Sequence, residues 1–347
     1  MTEFELVSLG SRVARALRRE HTSWRCALGA AREEGLSALV ELAARGVVLE
    51  ASRHDAAQWD KLRRRAALAG VVMEEAAAAI SSRLASAGIP HALLKGAAVA
   101  PLYGRAWARP MSDIDVLVGE SGLAGSREAL EPLGYVEALS SELETVLVPE
   151  RGASPLCAVD LHRRLGYAGQ FDFPVDEMLA RARRRGRVQV LAPEDELLAL
   201  AAHVACHRFR GVGRSLCDIA AVALVCPVDW RAVVERARSW RVSAAAWAAF
   251  SCARRSFGAP VPRDVISRLR PGLAQEAYLR LWLDLGSVSP WRLSSRGYGA
   301  LARRAALVIL WPALSDGLLR GTAFATCYSL RMLTKYLAMA LRRGGGS

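Results

Sequence analysis

The sequence predicts an α+β protein in which a small mixed sheet with flanking helices lies between two helical segments. Apolar residues recur every three or four positions over residues 1–86 and again over 191–342, which is the helical period. Between them, over 87–190, short apolar runs end at glycine turns and alternate with helical stretches. The chain of 347 residues is long enough for two or three such domains.

The first helical segment ends clearly. The stretch "VVMEEAAAAISSRLASAGIP" predicts one helix that is stopped by Gly88 and Pro90. Four strands are then expected in the core, "HALLKG", "DIDVLVG", "ETVLVPE" and "LCAVDLH". Two helices are expected among them, "AAVAPLYG" and "SGLAGSREALEPLGY", the second with Ser121 as its N-cap and Gly134 as its stop.

Helices predominate again in the last part of the chain. We interpret "FDFPVDEMLARARRRGRV" as a loop and a basic helix, and Pro193 as the start of the next helix, with Glu194 and Asp195 in its first turn. The stretch "TAFATCYSLRMLTKYLAMALRR" separates apolar from basic residues, which favours packing onto the helical domain over membrane contact. Residues 343–347 are expected to be a disordered tail.

The charge balance is strongly basic. The net charge of +13 suits a nucleic acid, a nucleotide or an anionic surface as partner. However, 44 arginines stand against three lysines, at positions 61, 95 and 335, which together with abundant alanine is typical of a GC-rich genome. This bias weakens the argument from basicity, and it makes a lysine inside a motif more notable.

Cysteine usage and hydropathy predict a cytoplasmic protein that does not enter membranes. The seven cysteines are odd in number and form no CxxC pair, which favours reduced, buried thiols. The N-terminus opens acidic and lacks the apolar region of a signal peptide. No apolar run approaches the roughly 18 residues of a membrane span.

The unusual feature of the core is a pair of aspartates in an apolar strand. Residues i and i+2 of a strand point the same way, so Asp113 and Asp115 share one face. Two neighbouring carboxylates repel unless a cation lies between them, and a hard divalent metal is the natural one. If the strand that carries Asp160 pairs beside them, three aspartates converge, a geometry that suits two Mg²⁺ ions and a nucleoside triphosphate (NTP).

A phosphate site is expected beside these aspartates. Lys95 and Gly96 end the preceding strand just before a helix, where glycine permits close backbone approach and the following amides can hold phosphate oxygens. Lys95 would add a point charge for the phosphates and Arg109 would clamp another oxygen. Together with Ser112, these are the candidate nucleotide-binding residues.

The motif "LLKG…R..SDIDVLV…VDLH", followed by "L.PEDELLAL..H", resembles an uncharacterised nucleotidyltransferase family of the DNA-polymerase-β-like superfamily. The resemblance implies a polymerase-β-like core and a Mg²⁺- or Mn²⁺-dependent transfer of a nucleoside monophosphate from ATP or another NTP, with release of pyrophosphate. Gly96, Asp113, Asp115 and Asp160 carry over as motif positions, the aspartates as metal ligands. Lys95 departs from the superfamily's commoner Gly-Ser.

Several alternatives stay open. Related families include toxins that modify transfer RNA, antibiotic-modifying enzymes and proteins encoded near peptide natural-product genes, so the acceptor is a peptide or protein, a small molecule or RNA. The arginine run 181–187 fits a solvated basic helix as well as an RNA-binding segment, and RNA is not favoured because no aromatic residues interleave with the run. The competing class is a non-catalytic nucleotide-binding or interaction protein on a degenerate version of the same fold.

Single residues leave choices as well. Asp172 or Asp176 could replace Asp160, although neither lies in a strand pattern. His162 could orient a ligand or act as a base, but a structural hydrogen-bond partner is the favoured interpretation. A further group, made up of His203, Cys206, His207 and Cys217, matches no standard zinc motif and is interpreted as core and polar face of a helix.

Overall fold

The computed structural model describes residues 9–10, 36, 53–105, 108–150, 157–209, 212–283 and 312–344. Seven strands lie within these ranges: β1 Ala92–Leu93, β2 Asp113–Leu117, β3 Tyr135–Ser140, β4 Glu144–Pro149, β5 Ala158–His162, β6 Arg183–Arg185 and β7 Val188–Val190. The α-helices are α1 Arg53–Ser86, α2 Lys95–Val99, α3 Gly119–Leu130, α4 Val175–Ala180, α5 Pro193–Cys206, α6 Gly213–Val225, α7 Trp230–Ser239, α8 Ser243–Phe257, α9 Arg263–Arg268, α10 Leu273–Leu283 and α11 Leu318–Gly344. Single 3-10 turns span Ala100–Tyr103 and Glu131–Leu133.

The strands form one mixed sheet in the order β3-β4-β5-β2-β1-β7-β6. Strand β2 pairs in parallel with β5, and β1 pairs in parallel with β7. The other neighbours are antiparallel. Strand β2 runs through the core, where Ile114, Val116 and Leu117 are completely buried. A carboxylate on this strand is therefore surrounded by protein on most sides.

The predicted fold class is confirmed, because the chain builds a mixed sheet flanked by helices. All four predicted strands are present, as β1, β2, β4 and β5. Strand β3 is new: its first residue, Tyr135, was assigned to the end of the preceding helix. That helix, α3, starts at Gly119 with Val118 as its N-cap, so the assignment of Ser121 as the cap is wrong. A 3-10 turn follows α3 and ends at Gly134, close to the predicted stop.

The arginine run does not form the predicted basic helix. Helix α4 ends at Ala180, and the chain then forms the hairpin of β6 and β7, with Gly186 at a φ of +61° in its turn. Val188 and Val190 of β7 are buried, because they continue the sheet beyond β1. Their burial outweighs the helix propensity of arginine, and an arginine-rich edge strand also discourages pairing with another chain.

The helical part packs around α5, α6 and α8. Helix α5 starts at Pro193 as predicted. Asp195 does more than complement the helix N-terminus, however, because it is completely buried and accepts bonds from Arg236 at 2.7 Å and Arg181 at 3.2 Å. The acidic first turn of α5 therefore connects that helix to two other parts of the chain.

Helix α11 lies against the segment that follows β5. Phe324 and Tyr328 pack against Tyr167, and Arg320 donates to Asp172 at 2.7 Å. The helix therefore packs onto the sheet-containing part rather than onto the helical domain alone, and it continues to Gly344, into the expected tail. No helix in the described parts of the chain combines the length and the apolar character that a membrane crossing requires.

Candidate active site

Two parallel strands bring the three predicted aspartates to one face of the sheet. Asp113 lies opposite Ala158, and Asp115 lies directly opposite Asp160. Neighbouring strands are about 4.8 Å apart, and paired residues point to the same face. The predicted pairing of β5 beside β2 is therefore confirmed. The side chains of Asp115 and Asp160 project side by side from the same face of the sheet, one strand spacing apart.

Asp115 is the most buried of the three and holds two partners. Its Oδ1 accepts a bond from Lys95 Nζ at 2.6 Å and contacts His162 Nε2 at 2.7 Å. Burial acts to raise the pKa of Asp115, but the charge of Lys95 and the His162 hydrogen bond outweigh it and lower that pKa well below its ordinary value. Asp115 is therefore ionised, and Lys95 supplies its countercharge.

Lys95 occupies this place through an unusual backbone conformation. Its φ is +48°, in the left-handed region that residues with a side chain seldom adopt. Burial acts to lower the pKa of Lys95, but the charge and the hydrogen bond of Asp115 raise it above its usual value. Backbone strain of this kind is concentrated at functional sites. The strained conformation keeps a charged amine directed at the carboxylates.

Glu144 extends the cluster and was not identified from the sequence. It pairs with His162 across β4 and β5, and its Oε2 lies 3.3 Å from His162 Nδ1. His162 therefore bridges two carboxylates, which agrees with its interpretation as a hydrogen-bond partner. Only the register of β4 on β5 reveals this contact. From the sequence alone, a glutamate at the start of a strand is predicted to face solvent.

The negative charges affect Asp160 most. Burial, then the charges of Asp115 and Glu144, raise the pKa of Asp160 to about 6. A carboxylate that is disfavoured in this way gains most from a cation placed beside it. Half-buried Asp113, whose Oδ1 accepts a 3.2 Å bond from exposed Ser112, completes the set.

The three aspartates suit a hard divalent ion, because such an ion prefers oxygen ligands and the aspartates offer carboxylate oxygens. Among the described residues, no three His, Cys, Asp or Glu side chains are already arranged to hold a metal. Lys95 and His162 both engage Oδ1 of Asp115. An ion that joins the aspartates would have to share Asp115 with Lys95 or displace it.

Gly96 is explained by close packing. It is buried, and a Cβ built on it would lie 2.8 Å from Met111 Cγ and 3.5 Å from Arg109 Nη1. Helix α2, which contains Gly96, is only five residues long. The proposed phosphate contact at Gly96 stays a prediction, and the lysine before it is the stronger candidate.

Arg109 lies beside Gly96, but its guanidinium is held by partners within the chain. Its Nη2 lies 2.8 Å from Asp218 Oδ2, its Nε bonds both oxygens of that carboxylate, and its Nη1 donates to Pro110 O. Tyr103 donates to the same carboxylate, and the side chains of Arg109 and Asp218 are 8% and 0% exposed. These contacts hold the loop before β2 on α6, and the role of Arg109 as a phosphate clamp stays a prediction.

The buried ion pair of Arg109 and Asp218 is expected to contribute strongly to the stability of the fold. Asp218→Asn should lower the free energy of unfolding by about 3–5 kcal/mol, because it leaves the buried Arg109 guanidinium without its countercharge. Urea unfolding followed by circular dichroism measures the change. Glu235→Gln, in an exposed pair with Arg231, is the control and should change stability by less than about 0.5 kcal/mol. Equal effects of the two variants would contradict the structural role of Arg109.

Four arginines of the run 181–187 have partners within the chain, Arg181 with Asp195 among them. Arg185 pairs with Glu196 at 2.9 Å, and Arg187 contacts Glu75. Arg184 donates to the carbonyl of Gly186. These contacts give the run a structural explanation, so its sequence alone is weak support for RNA binding.

A cavity of about 410 Å³ adjoins Lys95 and His162. Its walls come from β4 and β5, from the segment that follows β5, from one face of α5 and from Tyr328 of α11. At the C-terminal end of α5 the rings of His203 and of the C-cap residue His207 lie 4.4 Å apart. Sequence reasoning noted this histidine pair but assigned it no role. The cavity therefore adjoins the carboxylate cluster through Lys95, Glu144 and His162.

Comparison with known proteins agrees with this geometry. The sequence model of a family described as "Uncharacterised nucleotidyltransferase" matches residues 20–258, which is more than half of the chain. The match includes every strand of the sheet and all residues of the carboxylate cluster. No curated protein matches the chain.

Proposed function

The chain belongs to the uncharacterised nucleotidyltransferase family, and from this membership we propose that it transfers a nucleoside monophosphate from an NTP to a hydroxyl group of an acceptor. One observation carries the proposal. Asp115 and Asp160 are paired on adjacent parallel strands, so their side chains lie side by side on one face of the sheet, and Asp113, two residues before Asp115, shares that face. Such a cluster of carboxylates is costly unless it binds cations.

Three aspartates would hold Mg²⁺, or Mn²⁺ in its place. Asp113 and Asp115 would contact the ions that carry the triphosphate, and Asp160 would contact the ion nearest the acceptor. When bound, the ions would neutralise phosphate charge and lower the pKa of the attacking hydroxyl. Oxygen ligands suit these ions, and the raised pKa of Asp160 supports a need for positive charge at this place.

Lys95 would hold the phosphates. Its ammonium already lies at the carboxylates, 2.6 Å from Asp115 Oδ1. Electrostatic stabilisation at the transferred group is the main requirement of phosphoryl transfer, and a point charge at this position would provide part of it. Ser112 lies beside Asp113 and is available to bind a phosphate oxygen.

The reaction would be an in-line displacement at the α-phosphorus. The acceptor oxygen would form a bond to phosphorus, the bond to the bridging oxygen of pyrophosphate would break, and the hydroxyl proton would be released to solvent. His162 would keep Asp115 in position from one side, with Glu144 behind it. The residues of this chain would thus bind and orient, while the charge that develops is balanced by cations.

A non-catalytic nucleotide-binding protein is the competing function, and one observation favours it. Asp115 is engaged by Lys95 and His162 at hydrogen-bond distance, as in a cluster that is neutralised from within. The two functions differ in whether a divalent ion enters the cluster and whether a product forms.

Labelled nucleotides separate the two functions. The full chain is incubated with α-labelled NTPs and cell extract, with Mg²⁺ or with a chelator, and label is followed in the RNA, protein and small-molecule fractions. We expect label in one fraction that depends on both Mg²⁺ and the protein. Asp113→Asn should abolish it, and Glu235→Gln, far from the cluster, should not. NTP binding without any labelled product would favour the non-catalytic function.

A further inference from the structure

The cavity beside the carboxylates has a wall that suits an uncharged ring. Tyr167 and Tyr328 both line it, with ring centroids 4.7 Å apart and an interplanar angle of 62°. Leu143, Leu165 and Leu200 add apolar surface. Aromatic and aliphatic side chains of this kind bind the body of a ligand, whereas a few polar groups orient it.

The carboxylates that line the cavity already have partners, and three cationic side chains, those of Lys95, Arg164 and Arg208, line it as well. Its carboxylates among the described residues are Glu144, which lies 3.3 Å from His162, and Glu196, which pairs with Arg185 at 2.9 Å. A cationic ligand would thus find no carboxylate that lacks a partner. Buried carboxylates with partners give little affinity for a further ammonium group, because the ammonium would lose its hydration.

The histidine pair adds polarity without charge. Burial, and next the charge of Lys95, lower the pKa of both His203 and His207, so both rings are neutral at pH 7. Cys206 lies between them in the sequence, and burial raises the pKa of its thiol to about 12. These groups offer neutral hydrogen-bond donors and acceptors to a ligand.

The place of the cavity indicates which substrate enters. Its sheet-side wall includes His162 and Glu144, on β5 and β4, the strands that hold and flank Asp160. Asp160 is the carboxylate that the proposed function assigns to the acceptor. The volume of about 410 Å³ lies in the range of small-molecule sites, so helical RNA would not fit.

We propose that this cavity is the acceptor site and that it takes a small compound that carries no positive charge and has an aromatic or apolar body and a hydroxyl group. The inference rests on the proposed function for the role of the compound as acceptor. Binding of a probe to the cavity needs neither NTP nor metal, so the binding site and the proposed function can fail separately. If the protein binds the probe but transfers no label from NTP, the proposed function is wrong and the binding site remains.

Three phenols that differ in charge test the proposal. Calorimetry of the full chain, without NTP or metal, compares N-acetyltyrosinamide, which is neutral, with the cation tyramine and the anion N-acetyltyrosine. We expect the neutral probe and the anion each to bind at least about tenfold more tightly than the cation tyramine. Tighter binding of tyramine, or no binding of the neutral probe, would overturn the proposal.

Two matched variants locate the binding. Ala199→Phe places a ring in the cavity and should weaken binding of the neutral probe at least about tenfold. Ala223→Phe makes the same change at a half-buried position of α6, outside the cavity, and should leave binding unchanged. Equal affinities of the two variants for the neutral probe would show that the probe binds elsewhere.

A competition experiment with adenosine tests whether the cavity binds the nucleotide instead. If adenosine displaces the probe and binds more tightly, the cavity is the site of the nucleoside of the NTP.

Discussion

Asp160→Asn is expected to lower nucleotide transfer at least about a thousandfold, which corresponds to about 4 kcal/mol of transition-state stabilisation. Asparagine keeps the shape of the side chain but removes the negative charge that would hold the ion nearest the acceptor. The register supports a large effect, because Asp160 lies directly opposite Asp115. The formation of labelled product, measured at saturating NTP, gives the rate.

Asp176→Asn is the control for this variant. Asp176 is exposed on α4 and was the alternative third carboxylate in the sequence. We expect Asp176→Asn to keep full activity. Asp160→Asn and Asp176→Asn should both bind NTP with nearly the affinity of the native protein. If Asp160→Asn keeps activity within about tenfold of the native protein, the third ligand lies elsewhere and the assignment of β5 to the site is wrong.

Lys95→Met is expected to change two affinities in opposite directions. In the native protein the ammonium of Lys95 lies 2.6 Å from Asp115 Oδ1 and competes with any cation for that oxygen. Removing the charge should therefore strengthen Mn²⁺ binding in the absence of nucleotide, on the order of tenfold. NTP binding should weaken by a similar factor, because a positive charge at the phosphates is lost.

Electron paramagnetic resonance of free Mn²⁺ and calorimetry with NTP measure the two affinities. Lys95→Arg keeps the charge and is the control, with little change expected in Mn²⁺ binding. Adenosine binding separates phosphate contacts from folding defects, since it should not change in Lys95→Met. A loss of Mn²⁺ binding together with NTP binding would show that Lys95 only supports the structure of the loop.

The central strands could be predicted from local sequence because they are buried. In β2 the apolar residues alternate with the two aspartates, and a glycine follows, so the strand and its functional face are visible together. Strand β3 gives no such signal. Five of its six residues are exposed, and the stretch "YVEALS" contains good helix formers. Pairing with β4, not local preference, makes it a strand.

The candidate site divides in the same way. The i, i+2 spacing placed Asp113 and Asp115 on one face, and a strand pattern identified Asp160. The contacts that depend on long-range pairing stayed hidden. Arg109 meets Asp218, 109 positions later, and no local rule shows that this arginine is already engaged. Glu144 reaches His162 only through the register of two antiparallel strands.

The ion pairs that join the sheet to the helical part have a consequence for how the protein unfolds. Arg109 and Arg185, on the sheet side, meet Asp218 and Glu196 on α6 and α5. A fragment cut at residue 190 would keep both arginines and lose both carboxylates. We therefore expect the sheet and the helices that follow position 190 to unfold together rather than as two independent units.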